Sequence, residues 1–154
     1  MQVFVIGSPW ETAAELDKRR LNKQIIECQQ ILKVLNGQST AWENHPIVHM
    51  YRPYQKWLTT YMWILEEYAL EKSDLMMLIT LNDWCKAHMP EFMTQEYFDQ
   101  MKRRLYTKDK NYYSQWSHLG ESDVNWYYID GIWKLYRNGK LVNEVKVTSI
   151  DYEY

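Results

Sequence analysis

The segment LDKRRLNKQIIECQQIL, from Leu16 to Leu32, decides the fold of the N-terminal half of the chain. Its apolar residues recur at i, i+4 and i+7, which is typical of the core-facing side of an amphipathic helix. These residues are Leu21, Ile25, Cys28, Leu32 and Leu35. The same helical spacing places a second stripe at the edge of the core. That stripe consists of Arg20, Lys23, Gln24, Glu27, Ile31 and Val34. The pattern predicts a long first helix near residues 13–36, ended by Asn36-Gly37.

Glu27 is the carboxylate of this second stripe, where we expect it to be half-buried beside cations. A carboxylate in such a place suits general acid/base catalysis or electrostatic stabilisation, because cationic neighbours keep it ionised whereas desolvation raises its pKa. The alternative is an ordinary surface ion pair between Lys23 and Glu27, which contributes only about 0.2–0.5 kcal/mol.

Three further helices are predicted, near residues 53–72, 74–88 and 95–106. Pro53 stands at the start of the first of these three, and Thr94 is the expected N-cap of the last. The second helix carries an apolar stripe of Trp57, Tyr61, Ile64 and Tyr68. The third has an apolar surface broad enough to predict burial on more than one side. The fourth is expected to direct Tyr97, Phe98, Met101 and Leu105 inward and Lys102, Arg103 and Arg104 toward solvent.

The C-terminal segment NWYYIDGIWKLYRNGKLVNEVKV, residues 125–147, changes to alternating apolar residues. Asp130-Gly131 and Asn138-Gly139 interrupt it with strong hairpin signals, so it predicts a three-stranded meander packed on the helices. The expected fold is mainly α: a compact bundle of about four helices, with a short N-terminal strand (VFVI, residues 3–6) and a small C-terminal antiparallel β-meander. We expect a single domain, residues 1–154, with a helical core over 1–120 and the meander as an extension over 121–154.

The overall charge excludes a strongly basic nucleic-acid binder, since 18 Lys and Arg oppose 20 Asp and Glu. Binding to phosphates would therefore depend on local patches. The two candidate patches are Lys18, Arg19, Arg20 and Lys23, and Lys102, Arg103, Arg104, Lys108 and Lys110. Aromatic residues interleave with the second patch and suit stacking on bases, although a solvated helix end is the alternative interpretation. They are Tyr106, Tyr112, Tyr113 and Trp116.

The cysteine and histidine patterns disfavour a metal site. Cys28 and Cys85 do not form a CxxC motif, and His45 with His49 lacks a third ligand at recognisable spacing. Pro46 holds His45 in an extended conformation, which suits contact with a phosphate or sugar. Two unpaired cysteines, no signal peptide and no apolar run of about 20 residues predict a cytoplasmic protein without membrane, metal or cofactor.

Several motifs occur in a recognisable order: LDKRRLNKQ followed by Glu27, then WENHP at residues 42–46, an aromatic helix, and RRLYTKDKNYY at 103–113. Over residues 1–116 the chain resembles the pyrimidine-dimer DNA glycosylases of the endonuclease V type. These are small helical enzymes without metal or cofactor. The resemblance implies that the partner is duplex DNA with a damaged or modified base. It also implies that the α-amino group of the chain attacks the deoxyribose C1′, assisted by Glu27.

The residue after Met1 departs from the best-studied members of this family, in which a small residue follows the initiator methionine and supplies the amine. A side chain as large as Gln2 prevents removal of the methionine, so Met1 is the candidate nucleophile. An α-amine has a reference pKa near 7.7–8.0, which leaves a useful neutral fraction at cellular pH. Glu27 could stabilise the oxocarbenium-like charge, protonate the ring oxygen and help to remove the C2′ proton.

Seven further residues are candidates for contacts with DNA. We expect phosphate or sugar contacts from Arg20, Lys23, His45, Arg103 and Lys108. Gln24 or Asn44 is expected to read a base edge. Two alternatives remain open: a phage-type enzyme that modifies a flipped base in the same pocket, and a non-catalytic nucleic-acid-binding module on the same scaffold.

Overall fold

A computed structural model of the chain describes residues 2–71, 74–122, 125–129 and 132–146. It confirms a mainly helical fold with a small C-terminal antiparallel sheet. The helices are α1 (Pro9–Glu15), α2 (Lys18–Leu35), α3 (Pro46–Tyr51), α4 (Gln55–Leu70), α5 (Leu75–Ala87) and α6 (Gln95–Lys108). Two 3₁₀ segments span Arg52–Tyr54 and Ser114–Leu119, and the strands are β1 (Asn125–Ile129), β2 (Ile132–Arg137) and β3 (Lys140–Lys146).

The predicted first helix is two helices in the structure, because the backbone is extended at Leu16. Asp17 then starts α2, its side chain accepting a hydrogen bond from the backbone amide of Arg20. The shorter α1 begins at Ser8, whose side chain accepts from the amide of Glu11, with Pro9 in the first turn. Both helices begin with the usual features of a capped N-terminus. The two caps divide a segment that the continuous apolar pattern predicted as a single helix.

The residues Asn44, His45 and Pro46 lead into a separate helix, α3. His45 is its N-cap, and Pro46 occupies the first turn, where the missing amide proton costs nothing. The helix runs through the 3₁₀ segment Arg52–Tyr54 into α4. The structure therefore contains one more helix at this position than the sequence predicted.

Helices α2 and α4 pack against each other and form much of the core. The predicted α4 stripe is confirmed, with Trp57, Tyr61 and Ile64 buried and Tyr68 partly buried against them. The rings of Trp57 and Tyr61 stack with centroids 5.4 Å apart. The indole Nε1 of Trp57 donates to the carbonyl oxygen of Cys85, 3.1 Å away, which fixes α5 against α4.

The expected N-terminal strand does not form. Residues 2–5, although described, pair with no strand, yet Val3 and Val5 are fully buried. Buried backbone amides and carbonyls need hydrogen-bond partners, and a lone strand has no neighbour to supply them. Side chains of the surrounding helices supply them instead, as described below for the candidate site.

Helix α5 also differs from its prediction, since it is buried along one narrow stripe. Leu78 and Cys85 are buried, while four apolar residues of the same helix are between 43% and 72% exposed. The exposed residues are Leu75, Met76, Met77 and Ile79. Among the residues that the structure describes, no helix has both the length and the apolar character to cross a membrane.

The strands form the predicted meander in the order β1-β2-β3, with antiparallel pairing throughout. Asn138 and Gly139 both have positive φ, at 50° and 73°, as a tight hairpin turn requires. The predicted Asp130-Gly131 turn lies outside the described residues. As expected, the sheet packs on the helices: Leu135 is buried, and Arg137 Nη1 lies 3.5 Å from Glu96 Oε1 of α6.

Candidate active site

The segment Gln2–Ile6, here called the N-terminal segment, is held in place by helix side chains. Gln24, on α2, binds it twice: its Nε2 donates to the Gln2 carbonyl oxygen at 2.9 Å, and its Oε1 accepts from the Phe4 amide at 2.5 Å. The Ile6 amide donates to Thr12 Oγ1 at 3.1 Å. These contacts replace the backbone ladder of a sheet.

Two tyrosines hold the carbonyl oxygens of the same segment. Tyr61, on α4, donates from its hydroxyl to the Phe4 carbonyl oxygen at 2.6 Å. Tyr97, on α6, donates to the Val3 carbonyl oxygen at 3.2 Å. Burial raises the pKa of Tyr97 to about 12, so this hydroxyl keeps its proton at neutral pH. Helices α2, α4 and α6 therefore fix the path of the N-terminal segment together.

Glu27 lies at the beginning of that segment. Its Oε2 accepts a hydrogen bond from the backbone amide of Gln2 at 2.9 Å, and its side chain is 13% exposed. Lys23 Nζ is 4.0 Å from the other carboxylate oxygen, with the lysine side chain 72% exposed. An ion pair so long and so exposed contributes little, so the contact with Gln2 distinguishes Glu27 from an ordinary surface glutamate. Met1 lies outside the described residues.

A cavity of about 220 Å³ lies beside Glu27, and we call it the Glu27 pocket. Its charged lining residues besides Glu27 are cationic: Arg19, Arg20, Lys23 and Lys108. Lys108 belongs to α6, so the fold brings one residue of the second basic patch to the first patch on α2. A pocket with this excess of positive charge suits an anionic ligand such as a phosphate backbone.

Arg20 is oriented by a small network that the sequence did not reveal. Its Nη1 lies 3.1 Å from Asp17 Oδ1, and its guanidinium lies 5.9 Å from the ring centroid of Tyr113. The Tyr113 hydroxyl also donates to Asp17, and it accepts from the Asp17 amide at 3.0 Å. Burial raises the pKa of Asp17, but hydrogen bonds from Tyr113 and Arg20 outweigh it and lower that pKa overall. Aspartate is a residue type that favours N-caps, and that preference is the signal that could have located Asp17.

His45 is a structural cap with a neutral ring. Its Nδ1 accepts from the Ile47 amide at 3.1 Å, which places the proton of the neutral imidazole on Nε2. Burial, the positive charge of the chain terminus and His49 lower the pKa of His45 to about 4. His45 is therefore uncharged at pH 7. Within the described ranges, no cluster of three His, Cys, Asp or Glu residues is arranged to hold a metal ion.

Other predicted site residues lie elsewhere. Gln24 is 2% exposed and both ends of its amide bind the N-terminal segment, so this geometry does not support its predicted reading of a base edge. Asn44, an exposed residue, and Arg103, a half-buried one, do not line the Glu27 pocket. Arg104 is half-buried and lines a second cavity, whereas we expected it to point toward solvent.

The aromatic residues of the second basic patch also differ from expectation. Tyr113 and Trp116 are buried and stack on each other, with ring centroids 5.4 Å apart and planes 4° apart. Such rings are core residues and cannot stack on bases. Tyr112, which is 50% exposed, remains accessible.

One comparison with known proteins bears on the region that contains this site. Residues 1–72 match the family model of the pyrimidine dimer DNA glycosylases, which confirms the resemblance seen in the sequence. The matched region contains Glu27, Gln24 and the cations of α2, whereas RRLYTKDKNYY and the meander lie beyond it. The match supports a DNA-repair function of the glycosylase type and a DNA substrate. No curated protein and no solved structure matches the chain.

Proposed function

We propose that the protein is a DNA glycosylase and abasic-site lyase that uses the α-amino group of Met1 as nucleophile and Glu27 as acid/base and electrostatic residue. The observation that carries the proposal is the 2.9 Å hydrogen bond from the Gln2 amide to Glu27 Oε2. This amide belongs to the peptide bond between Gln2 and Met1, and the α-amine of Met1 is the proposed nucleophile. The carboxylate and the amine would therefore approach the same C1′ atom.

The amine nitrogen would form a bond to C1′ while the glycosidic bond breaks and the base leaves with its electron pair. Glu27 would stabilise the positive charge that develops on the sugar. The attached nitrogen would lose a proton, and donation of a proton to the ring oxygen would then break the bond between C1′ and that oxygen, leaving a protonated imine and an open sugar. Removal of a C2′ proton would then expel the 3′ phosphate by elimination, and water would release the enzyme by hydrolysing the imine.

The cations of the Glu27 pocket support the choice of substrate. Arg20 is held by Asp17 and Tyr113, whereas Lys23 and Lys108 are exposed and can follow a phosphate backbone. A chain with a net charge of −2 must bind DNA through such a local concentration of charge. We therefore expect binding that weakens steeply with salt. We propose that this activity takes place in the cytoplasm and requires neither a metal nor a cofactor.

Borohydride trapping tests the proposal. The purified protein is incubated with an abasic duplex and with an ultraviolet-damaged duplex, reduced, digested and analysed by mass spectrometry. We expect an adduct on the α-amino group of the N-terminal peptide. Duplex binding without an adduct on either substrate would overturn the lyase proposal and favour the base-modifying enzyme or the non-catalytic binder.

Glu27→Gln tests the carboxylate, because it removes the charge and keeps the side chain's size. We expect turnover to fall by orders of magnitude, while duplex affinity changes little. Glu91→Gln is the matched control, since Glu91 is exposed and does not line the Glu27 pocket. Equal activity of both variants would show that Glu27 has no catalytic role.

A further inference from the structure

Trp42 is an exposed tryptophan in the loop between α2 and α3. Its side chain is 57% exposed, and its φ of 66° lies in the left-handed region, which a bulky residue rarely adopts. Two other non-glycine residues in the described ranges have positive φ. Glu71 is the C-cap of α4, and Asn138 belongs to the turn between β2 and β3. Trp42 neither caps a helix nor connects two strands, so its backbone conformation has no such structural reason.

Local contacts fix this conformation. The Glu43 amide donates to the Thr40 carbonyl oxygen at 3.2 Å, and the His45 amide donates to the Trp42 carbonyl oxygen at 2.9 Å. The rings of Trp42 and His45 meet edge-to-face, with centroids 6.0 Å apart and planes at 77°. His45 is itself held as the N-cap of α3, so the indole is presented to solvent in a defined orientation. Left-handed backbone in a bulky residue is costly and is concentrated at functional sites.

Few contacts separate Trp42 from the Glu27 pocket. Its ring neighbour His45 accepts from the Ile47 amide, and Ile47 lines a cavity of about 190 Å³ that Gln2 also lines. Gln2 in turn lines the Glu27 pocket and donates to Glu27. The positive charge of the chain terminus is among the causes of the low pKa of His45, which agrees with this placement. A DNA strand that crosses the Glu27 pocket can therefore reach Trp42.

An exposed and fixed indole suits contact with a nucleobase. Every base has a π-face, and an aromatic side chain that stacks on it strengthens binding without reading the sequence. Bases beside a damaged or abasic nucleotide have lost part of their stacking, so they can move onto a protein ring at low cost. A single exposed apolar residue is common on protein surfaces. The left-handed backbone distinguishes Trp42 from Trp63, which is 50% exposed on the regular helix α4.

We propose that Trp42 stacks on a base adjacent to the reacting nucleotide and thereby positions the DNA strand that enters the Glu27 pocket. This inference rests on the proposed function, because it takes the Glu27 pocket as the site of the reacting sugar. The indole replaces the stacking partner that the adjacent base loses at the lesion. Trp42 makes no contact with C1′ in this arrangement, so it is a positioning residue and takes no part in bond breaking.

Fluorescence of 2-aminopurine tests the stacking directly. The duplex carries a tetrahydrofuran analogue of the abasic sugar, which binds without forming an imine, and the probe is placed in turn 5′ to the analogue, 3′ to it and opposite it. Stacking on an indole quenches this probe. We expect the unmodified protein to quench it at one of the two adjacent positions and Trp42→Asn to leave it unquenched. Asparagine tolerates positive φ, so this variant removes the ring without adding backbone strain.

Affinity and turnover give a second measurement. Trp42→Asn should weaken binding of the analogue duplex by about tenfold, whereas Trp42→Phe should retain part of both the affinity and the quenching. Cleavage of a true abasic duplex at saturating protein should stay within about threefold of the unmodified rate, because the reacting atoms are untouched. Trp63→Ala is the matched control, since Trp63 is exposed and does not line the Glu27 pocket. It should change neither quenching nor affinity.

The outcomes separate this inference from the proposed function. Failure of the unmodified protein to cleave the abasic duplex would overturn the proposed function itself. Cleavage together with equal quenching by the unmodified protein and Trp42→Asn would overturn the stacking assignment alone, as would quenching confined to the base opposite the analogue. Thermal unfolding should show Trp42→Asn to be at least as stable as the unmodified protein. A lower unfolding temperature would show that the ring serves the fold and would also overturn the assignment.

Discussion

The hydroxyl of Tyr61 lies 2.6 Å from the carbonyl oxygen of Phe4, a residue 57 positions earlier in the chain. Tyr61 is fully buried, and its ring stacks on Trp57 in the middle of the core. The N-terminal segment is thereby attached to a buried part of α4. Catalysis by a chain terminus requires such an anchor, because a terminus is otherwise among the most mobile parts of a protein.

Replacing Tyr61 by Phe should lower the free energy of unfolding by about 1–3 kcal/mol, because the Phe4 carbonyl oxygen would remain buried without this donor. Urea denaturation measures the change. Tyr112→Phe removes a hydroxyl from a side chain that is 50% exposed and should change stability by less than about 0.5 kcal/mol. Equal stability of the two variants would show that the Tyr61 contact has no energetic weight.

Gln24→Glu should slow imine trapping on an abasic duplex by about tenfold or more. A carboxylate still accepts from the Phe4 amide but cannot donate to the Gln2 carbonyl oxygen, so the start of the chain loses one of its contacts. Gln24 also lines the Glu27 pocket, so the added charge should weaken duplex affinity, and the trapping rates are therefore compared at saturating duplex. Gln29→Glu, at an exposed position of the same helix, is the control. Equal trapping rates in both variants would contradict this role.

Asp17 should make stability depend on acid pH. Its pKa in the folded protein is below the reference value of 3.8, so its charged form stabilises the fold above pH 3.8, and this contribution is lost as pH falls through the folded pKa. Asp17→Asn should therefore lower stability at pH 7 and flatten the decline below about pH 4. The measurement is the unfolding free energy from pH 7 to pH 2, with exposed Asp83→Asn as control. A decline as steep as that of the unmodified protein would exclude this role for Asp17.

Protonation of His45 should also lower the stability of the fold as pH falls, but over a higher pH range than protonation of Asp17. Its folded pKa of about 4 lies below the reference value of 6.5, so the unfolded chain binds more protons between these values. Stability should thus decrease as pH falls from about 6.5 to about 4. His45→Asn keeps an N-cap side chain and should remove part of this slope, whereas exposed His118→Asn should not. Identical slopes in the two variants would contradict the neutral assignment.

Helical periodicity was sufficient to predict the helices that bury a single apolar face. The stripe of α4 and the core side of α2 are buried as their spacing predicts, except that Tyr68 and Ile25 are only partly buried, because a packed helix has one apolar face. Glu27 is half-buried for the same reason, at the edge of that face. The Asn138-Gly139 turn was also predictable, since both residues adopt the positive φ that the hairpin requires.

The remaining features depend on partners that are distant in the sequence. The VFVI segment has the composition of a strand, but the side chains of Gln24, Tyr61 and Tyr97 bind its backbone, and no local pattern shows this. Tyr113 appeared to be a surface aromatic because cations surround it in the sequence. It is buried in a stack on Trp116 and contacts Asp17, 96 residues earlier.

The use of side chains in place of a β-ladder has an evolutionary consequence. Ladder hydrogen bonds are made by the main chain, which every amino acid possesses, so a point mutation seldom removes one. Here the position of the chain's first residues depends on a few individual codons, including those of Gln24, Tyr61 and Tyr97. Selection can therefore change the placement of this terminus one contact at a time, although a change at the buried Gln24 or Tyr61 also alters the core.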